Sequence, residues 1–348
     1  MSTQGSSKKA RVETSADECQ DFKLHLANVP SFALGETHVG KPVYVCKQSD
    51  LIISVTKCMI EKRVSSVPVL TEKHNMYYGW IDWVPIVEYV IDHFTKEKAN
   101  APEGTAVDQT KTALEMMQES AHFKSLTVHD VMKYPRTNKN PFHPIRSCYS
   151  AFTVVEALAK DPQLQRVAIV NDDRSVANIV TQSDVLDYLS KRLDLISDGK
   201  KAKTLNSCKN LIKPVVTVNE MDTVFNAFST ITKAQVHGAA IVKTTEVGDR
   251  ITGNLSLRDM KNLGFGVEKF WRLHDMNIHN YILHLRQETE KGVRPRSWVT
   301  TKQNETILGT FEKLHANNLH HIYILDDDKI PIGIVSIKDL LLEFIAKD

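Results

Sequence analysis

The chain of 348 residues lacks the features of membrane, secreted and nucleic-acid-binding proteins. No apolar run approaches the roughly 20 residues that cross a bilayer. Residues 1–16 have no apolar core, so we expect no signal peptide. The five cysteines form no CxxC pair, so we expect reduced thiols in the cytoplasm or nucleus. A net charge of +2 gives no bulk attraction for nucleic acid or an anionic membrane.

Motifs of catalysis and metal binding are also missing from the sequence. It has no Walker A loop, no GxGxxG and no HExxH. His315, His320 and His321 lie near one another, but no cysteine or carboxylate partners stand at the spacing of a zinc site. We therefore expect no enzyme, no metal and no cofactor. An enzyme whose catalytic groups meet only in space remains the least favoured alternative.

What the chain does have is a short pattern that recurs along its length. Two apolar or small residues at the end of a strand are followed by Ser or Thr, two residues, then Asp. An altered copy carries Asp82 at the hydroxyl position and Pro85 at the carboxylate position. An internal repeat indicates one structural unit used several times. The three complete copies pair Thr181 with Asp184, Ser256 with Asp259, and Ser336 with Asp339.

Each copy lies in a unit of the order helix, strand, turn, strand, helix, which predicts an α/β fold. In the last unit, helical spacing of apolar residues predicts a helix over 306–318. Strands over 321–325 and 331–336 and a helix over 338–346 follow. One unit cannot cover both faces of its two-stranded ribbon, so we expect four units to form two pairs. We predict a disordered tail over 1–20, repeats over 38–97, 126–195, 205–265 and 292–347, a linker over 98–125 and a linker helix over 266–291.

The repeats resemble CBS domains, two of which form a Bateman module. Four CBS repeats without an attached enzyme or channel domain resemble the gamma regulatory subunit of AMP-activated and SNF1-related protein kinases. The local sequence of residues 319–325 adds to this resemblance. It implies a non-catalytic energy sensor that binds AMP, ADP or ATP in clefts between repeats. It also implies kinase catalytic (alpha-like) and scaffold (beta-like) subunits as partners, with no nucleic acid and no membrane.

The chemistry of the junction fits a nucleoside phosphate. A carboxylate in the first turn of a helix can accept both ribose hydroxyls through charge-assisted hydrogen bonds. It also interacts favourably with the helix dipole. The Ser or Thr three residues earlier can bind phosphate or cap the helix. The alternative is an ordinary N-cap with an acidic first turn, which any helical protein can contain.

Cationic candidates come from the same alignment of repeats. Arg166, His237, His320 and His321 stand where the gamma family often has His-Arg facing the phosphate. An arginine there offers a bidentate contact to phosphate, whereas a histidine is weaker and pH-dependent. Further candidates are Arg258 and Lys338, which are equally compatible with a solvated helix face, and Thr217 at the start of the third repeat.

Two departures from the family pattern separate the halves of the chain. Asp82 would repel phosphate, and Pro85 removes the ribose acceptor, so we expect at most one nucleotide in the first module and up to two in the second. His321 replaces the arginine of the family. These departures favour a second hypothesis, an interaction scaffold that ignores nucleotide. A standalone sensor of another adenosyl ligand, such as S-adenosylmethionine, is a third.

Overall fold

The structure is a computed structural model. It describes residues 15–38, 43–62, 64–100, 110–133, 144–161, 164–234, 236, 238–256, 259, 275–287 and 298–346. Within these ranges the chain forms four units, each built on a three-stranded sheet. The units correspond to the predicted repeats, and we call them repeats 1 to 4 in chain order. The α/β arrangement is confirmed.

In every sheet the middle strand pairs antiparallel with the third strand, as the sequence predicts. A short first strand pairs parallel with the other edge of the middle strand and was not predicted. Such a strand is too short to show a periodic pattern of apolar residues. The strands are β1 Cys46–Lys47, β2 Ser66–Leu70, β3 Tyr77–Asp82, β4 Ile145–Arg146, β5 Arg166–Val170, β6 Val176–Thr181, β7 Thr217–Asn219, β8 Gly238–Thr245, β9 Gly248–Ser256, β10 Thr300–Thr301, β11 His321–Leu325 and β12 Pro331–Ser336.

One helix precedes the middle strand of each repeat, and a second follows the third strand in repeats 1, 2 and 4. In repeat 4, the helices predicted over 306–318 and 338–346 are confirmed, with ends that differ by one or two residues. The helices are α1 Ser15–Asn28, α2 Ile52–Glu61, α3 Trp83–Asn100, α4 Ala113–Glu119, α5 Ala121–Ser125, α6 Val128–Met132, α7 Ala151–Lys160, α8 Gln182–Ser190, α9 Asp198–Ala202, α10 Val224–Lys233, α11 Ile278–Gln287, α12 Ile307–Ala316 and α13 Ile337–Ile345. The helix predicted after β9 lies outside the described residues, apart from Asp259.

The repeats pair through the faces of their sheets. Repeats 1 and 2 share an apolar cluster that includes Trp80 and Ala168, and we call this pair the first module. Repeats 3 and 4 share a cluster that includes Val242 and Tyr323, and they form the second module. The predicted pairing of four units into two modules agrees with these contacts.

Helices join the two modules. One core combines helices of repeats 1 and 3, with Val90 and Phe228 among its buried residues. The other combines helices of repeats 2 and 4, with Leu158 and Phe344. Each repeat therefore buries its sheet against one neighbour and its helices against another.

Each repeat of the first module is completed by the segment that precedes its partner. The backbone of Leu126, at the first residue of repeat 2 and well before its sheet, accepts a hydrogen bond of 2.9 Å from Ile52 of repeat 1. Conversely, Val29, just before repeat 1, accepts one of 2.7 Å from Ala151 of repeat 2. The two repeats thus exchange their leading segments and depend on each other for a complete core.

The second module repeats this exchange. Ile278, just before repeat 4, donates a hydrogen bond of 2.9 Å to Asp222 of repeat 3. Lys203, just before repeat 3, accepts one of 2.8 Å from Ile307 of repeat 4. Because both modules exchange their leading segments, this exchange is a property of the fold and not of one module.

This exchange changes two of the predicted boundaries. The tail over 1–20 is wrong from residue 15 onward, because α1 begins at Ser15 and buries Phe22 and Leu26 against repeat 2. Residues 1–14 lie outside the described part. Met117 and Phe123, in the predicted linker, are fully buried in the core of repeat 1. The sequence of this polar, Ala/Glu-rich stretch predicts a helix near 112–121, which α4 confirms, but a local helical pattern does not show what the helix packs against.

Candidate functional site

Three of the strand-to-helix junctions have the same hydrogen bonds. One oxygen of the aspartate, Oδ2, accepts a bond from the backbone N–H and a bond from the hydroxyl of the residue three positions earlier. This arrangement satisfies donors at the start of the helix. The N and hydroxyl distances are 2.8 and 2.7 Å for Thr181 to Asp184, 2.9 and 2.8 Å for Ser256 to Asp259, and 2.9 and 2.5 Å for Ser336 to Asp339.

Burial sets these junctions apart from exposed helix caps. The exposed fractions are 6% for Asp184, 6% for Ser256 and 8% for Asp339. A carboxylate has about four acceptor sites, so two capping bonds and a ligand contact are compatible. A buried carboxylate at a helix N-terminus is a strong acceptor for hydroxyl donors.

An internal comparison shows that the cap alone does not mark a ligand site. Thr127 and Asp130 form the same arrangement at the start of α6, with a hydroxyl-to-carboxylate distance of 2.6 Å. The carboxylate of Asp130 is exposed, and its bonds from Thr127 lower its pKa. The three junctions differ from the cap at Asp130 in their burial and in their position at the end of the third strand of a repeat.

The junction of repeat 1 keeps the fold but loses the carboxylate. Asp82 Oδ1 accepts a bond of 3.0 Å from the backbone N of Val84, so this aspartate caps the start of α3. Pro85 is buried in the first turn, where a missing N–H costs nothing.

Arg166 lies at the centre of the first module. It is half-buried, its Nη1 donates to Ser66 Oγ of repeat 1, and its Cζ lies 5.8 Å from the centroid of the Trp80 ring. Burial lowers the pKa of Arg166, and the charges of Asp82 and Tyr77 oppose that shift. The predicted cation therefore does face the partner repeat, beside the altered junction.

The centre of the second module has different polar groups. His321 Nε2 lies 3.1 Å from Asn254 Oδ1, and Tyr323 donates its hydroxyl to the same oxygen at 2.6 Å. Burial raises the pKa of Tyr323, so the phenol stays protonated. A Cβ at Gly238 would lie 3.3 Å from His321 Cε1, so the glycine permits the close approach of the histidine.

Comparison with known proteins supports the assignment of the repeats. The family model of the CBS domain matches residues 208–264 and 296–346. These segments fall within the predicted repeats 205–265 and 292–347 and lie in the second module. The second module is a pair of CBS domains.

Two relatives extend the comparison to the first module. The chain is 22% identical over 246 residues to the SNF1-related protein kinase regulatory subunit gamma-1 of Arabidopsis thaliana, covering 66% of this chain and 56% of that protein. The match thus spans little more than half the length of that relative. A crystal structure from Methanocaldococcus jannaschii, described as a candidate archaeal homologue of γ-AMPK, has a TM-score of 0.63 and 14% identity. It covers 88% of this chain and 97% of that chain, which shows that both modules share its CBS fold.

The remaining predicted residues take varied positions around the CBS pair. His320 is half-buried, and its carbonyl accepts a bond of 3.0 Å from the backbone N of Ile337. Lys338 is half-buried in the first turn of α13, and Thr217 is exposed at the start of β7. His237 and Arg258 lie outside the described residues.

A cavity of about 640 Å³ lies in the first module, away from the junctions. It is bounded by the ends of strands and turns of both repeats and contains none of the predicted site residues. Its lining residues are Val43, Val45, Cys46, Lys47, Asp50, Leu70, Asn75, Ser175, Val176 and Ala177.

Sequence reasoning missed two residues that contact the central cation or histidine. Trp80 and Asn254 both stand two positions before the junction residue, where the other repeats have Ile179 and Ile334. The residues equivalent to Asn254 in the other repeats are apolar, so the repeat alignment could have marked this asparagine as a candidate site residue.

Two further searches cover the described ranges only. No group of three or more His, Cys, Asp or Glu residues is placed there to hold a metal ion. No helix there combines the length and the apolar character that crossing a membrane requires.

Proposed function

We propose that the chain is a non-catalytic regulatory subunit that binds AMP, ADP or ATP between paired CBS repeats and transmits this occupancy to a protein kinase. The observation that carries the proposal is the hydroxyl-and-carboxylate junction, present at both repeats of the second module and at repeat 2. The likeness to a kinase gamma subunit over 66% of the chain supports the choice of partner.

The chemistry assigns a role to each group. The carboxylates of Asp184, Asp259 and Asp339 would accept the ribose hydroxyls. The neighbouring hydroxyls would face the phosphates, and in the second module the central His321 would do so as well. Since a nucleotide offers hydroxyl donors and an anion together, both groups are required for recognition.

The regulatory step would be a shift of population. AMP and ATP share the base and ribose contacts but differ in the charge that they bring to the module centre. A conformation that prefers one of them is favoured when that nucleotide binds, and a partner that recognises this conformation reads the difference. The partners would be a kinase catalytic subunit and a scaffold subunit, in the cytoplasm or the nucleus.

The test is calorimetric titration of the full chain with AMP, ADP and ATP. Asp259→Ala and Asp339→Ala should each weaken binding by about tenfold or more, because a charge-assisted bond contributes roughly 1.5–3 kcal/mol. Asp339→Ala also removes the cap of α13, which costs ~1 kcal/mol of stability. Asp130→Ala is the matched control, since it removes the same cap at an exposed site and should leave binding unchanged.

Unchanged affinity in both junction variants would contradict the proposal, as would no binding by the wild-type chain at millimolar nucleotide. The latter result would favour the second candidate, a CBS scaffold that ignores nucleotide. Asp82, Pro85 and His321 are the residues that favour this alternative. It predicts that co-purification with a kinase catalytic subunit is the same with and without AMP.

A further inference from the structure

We propose that Asp82 is a built-in anion for Arg166, which holds the first module closed without a ligand and leaves the nucleotide response to the second module. The part of this inference that concerns nucleotide rests on the proposed function. The electrostatic pairing of Asp82 with Arg166 does not.

Strand register places the two charges together. Ser66 and Asp82 are direct partners on β2 and β3, and Arg166 of the other repeat donates to Ser66 Oγ. Trp80 and Asp82 are two residues apart on β3, so their side chains leave the same face of the sheet. Because the guanidinium lies 5.8 Å from the Trp80 ring, it stands over the face that carries Asp82.

The charge balance at this point needs an anion. A guanidinium that leaves water is stable only when a negative charge compensates it. Burial lowers the pKa of Arg166 while Asp82 opposes that shift, which is the effect of a nearby counter-charge. In the proposed nucleotide sites this anion would be a phosphate, whereas here the chain supplies its own.

Only repeat 1 carries a charge at this position. The equivalent residues of the other repeats are Thr181, Ser256 and Ser336, which are neutral. Asp82 therefore has two effects on the first module. It neutralises the cation that a phosphate would seek, and it repels an approaching phosphate.

The contact itself is tested by a double-mutant cycle with hydrogen exchange as the readout. Asp82→Asn keeps the acceptor for Val84 and removes only the charge, while Arg166→Met removes the cation. Each single change should speed amide exchange in β2 and β5 by about tenfold, and the double variant should exchange more slowly than the product of the two effects. Additive effects, or no change in either strand, would overturn the contact.

The ligand part is tested by rebuilding the junction of repeat 1. The double change Asp82→Ser and Pro85→Asp restores the hydroxyl-and-carboxylate pattern and frees Arg166. It should add one equivalent of bound AMP to the full chain. Pro85→Asp alone is the matched control and should add none, because Asp82 still neutralises Arg166.

The outcomes separate this inference from the proposed function. If the wild-type chain binds AMP and the rebuilt variant gains no site, the assignment of Asp82 as the blocking anion is overturned. If Pro85→Asp alone gains the site, the same conclusion follows. If no variant binds AMP but the exchange cycle shows coupling, the internal contact stands and the nucleotide function fails.

Discussion

The two modules share a fold but differ in the groups at their centres. In the first, a permanently charged Arg166 contacts Ser66 and Trp80, and the charge of Asp82 raises its pKa against the effect of burial. In the second, His321 meets Asn254 beside a glycine, between two complete junctions. The apolar sheet faces and the exchanged segments are present in both. Pairing of the repeats therefore depends on apolar contacts, and a few residues at strand ends set the chemistry of each centre.

The CBS family model follows this difference only in part. It matches two of the three repeats that keep both the hydroxyl and the carboxylate, and these two form the second module, whereas repeat 2 keeps Thr181 and Asp184 without being matched. Repeat 1 carries Asp82 and Pro85 instead. Its strand β2 is nonetheless buried continuously from Val67 to Leu70, as in a sheet that is covered on both faces. A module can lose the residues of a ligand site while it keeps the core that holds its partner.

The largest effect is expected at the centre of the first module. Trp80 is 5% exposed and packs edge-on against Tyr77, with 5.8 Å between ring centroids. Trp80→Ala should lower the free energy of unfolding by about 3–5 kcal/mol, since it removes a buried ring and leaves a cavity. Urea unfolding measures it. Asn254→Ala, at the equivalent position, is the comparison, and an equal loss there would show that the two centres are energetically alike.

A change at His321 should give the second module the cation of the first. His321→Arg places a guanidinium beside Ser256, where repeat 1 has Asp82. Without an internal anion, the arginine should raise AMP affinity by about tenfold through charge-assisted bonds. Adenosine, which has no phosphate, should bind as before. A parallel gain for adenosine would mean that shape, and not charge, had changed.

A smaller effect is expected from a hydroxyl in the second module. Tyr323 is buried, and its OH donates to Asn254 Oδ1 at 2.6 Å. Tyr323→Phe should cost about 1 kcal/mol of unfolding free energy, because one buried hydrogen bond is lost while the ring still packs. Thermal unfolding of both proteins checks this. No change would show that the Asn254 contacts do not stabilise the module.

Much of the fold could be predicted from the sequence. The strands at residues 321–325 and 331–336 have the predicted ends because each is a short apolar run bounded by a turn. The first strands and the exchanged segments could not be predicted. Their hydrogen bonds join residues far apart in sequence, such as Val29 and Ala151, and no local pattern encodes such contacts.

The candidate site shows the same division. Alignment of the repeats places Arg166 and His321 at the module centres, where the structure has them. It does not reveal that Arg166 donates to Ser66, or that Asn254 accepts from Tyr323, because both depend on how one sheet lies on the other. The capping role of the junction aspartates was foreseen as an alternative, and the structure shows this helix cap at Asp184 and Asp339.

The smallest expected effect is a difference in pH sensitivity between the modules. In repeat 1, His93 stacks on His122 with 4.4 Å between ring centroids, and His93 Nε2 lies 3.8 Å from Glu97. Burial, and then the charge of His122, lowers the pKa of His93 from its ordinary 6.5, with Lys96 acting in the same direction. Glu97 and Asp92 oppose the shift but do not reverse it.

The sign follows from linkage. Because the folded pKa of His93 lies below 6.5, its contribution to stability is complete above pH 6.5 and is lost as the pH falls through the folded value. In repeat 4, the bond from Lys313 lowers the pKa of Glu305 from 4.5, so that contribution persists until the pH falls below 4.5. As the pH is lowered from 6.5 to 4.5, amide exchange corrected for its intrinsic pH dependence should speed up in α3 and α5 at a higher pH than in α12. His93→Gln should remove this difference. If α12 responds first, then the histidine pair does not set the acid sensitivity of the first module.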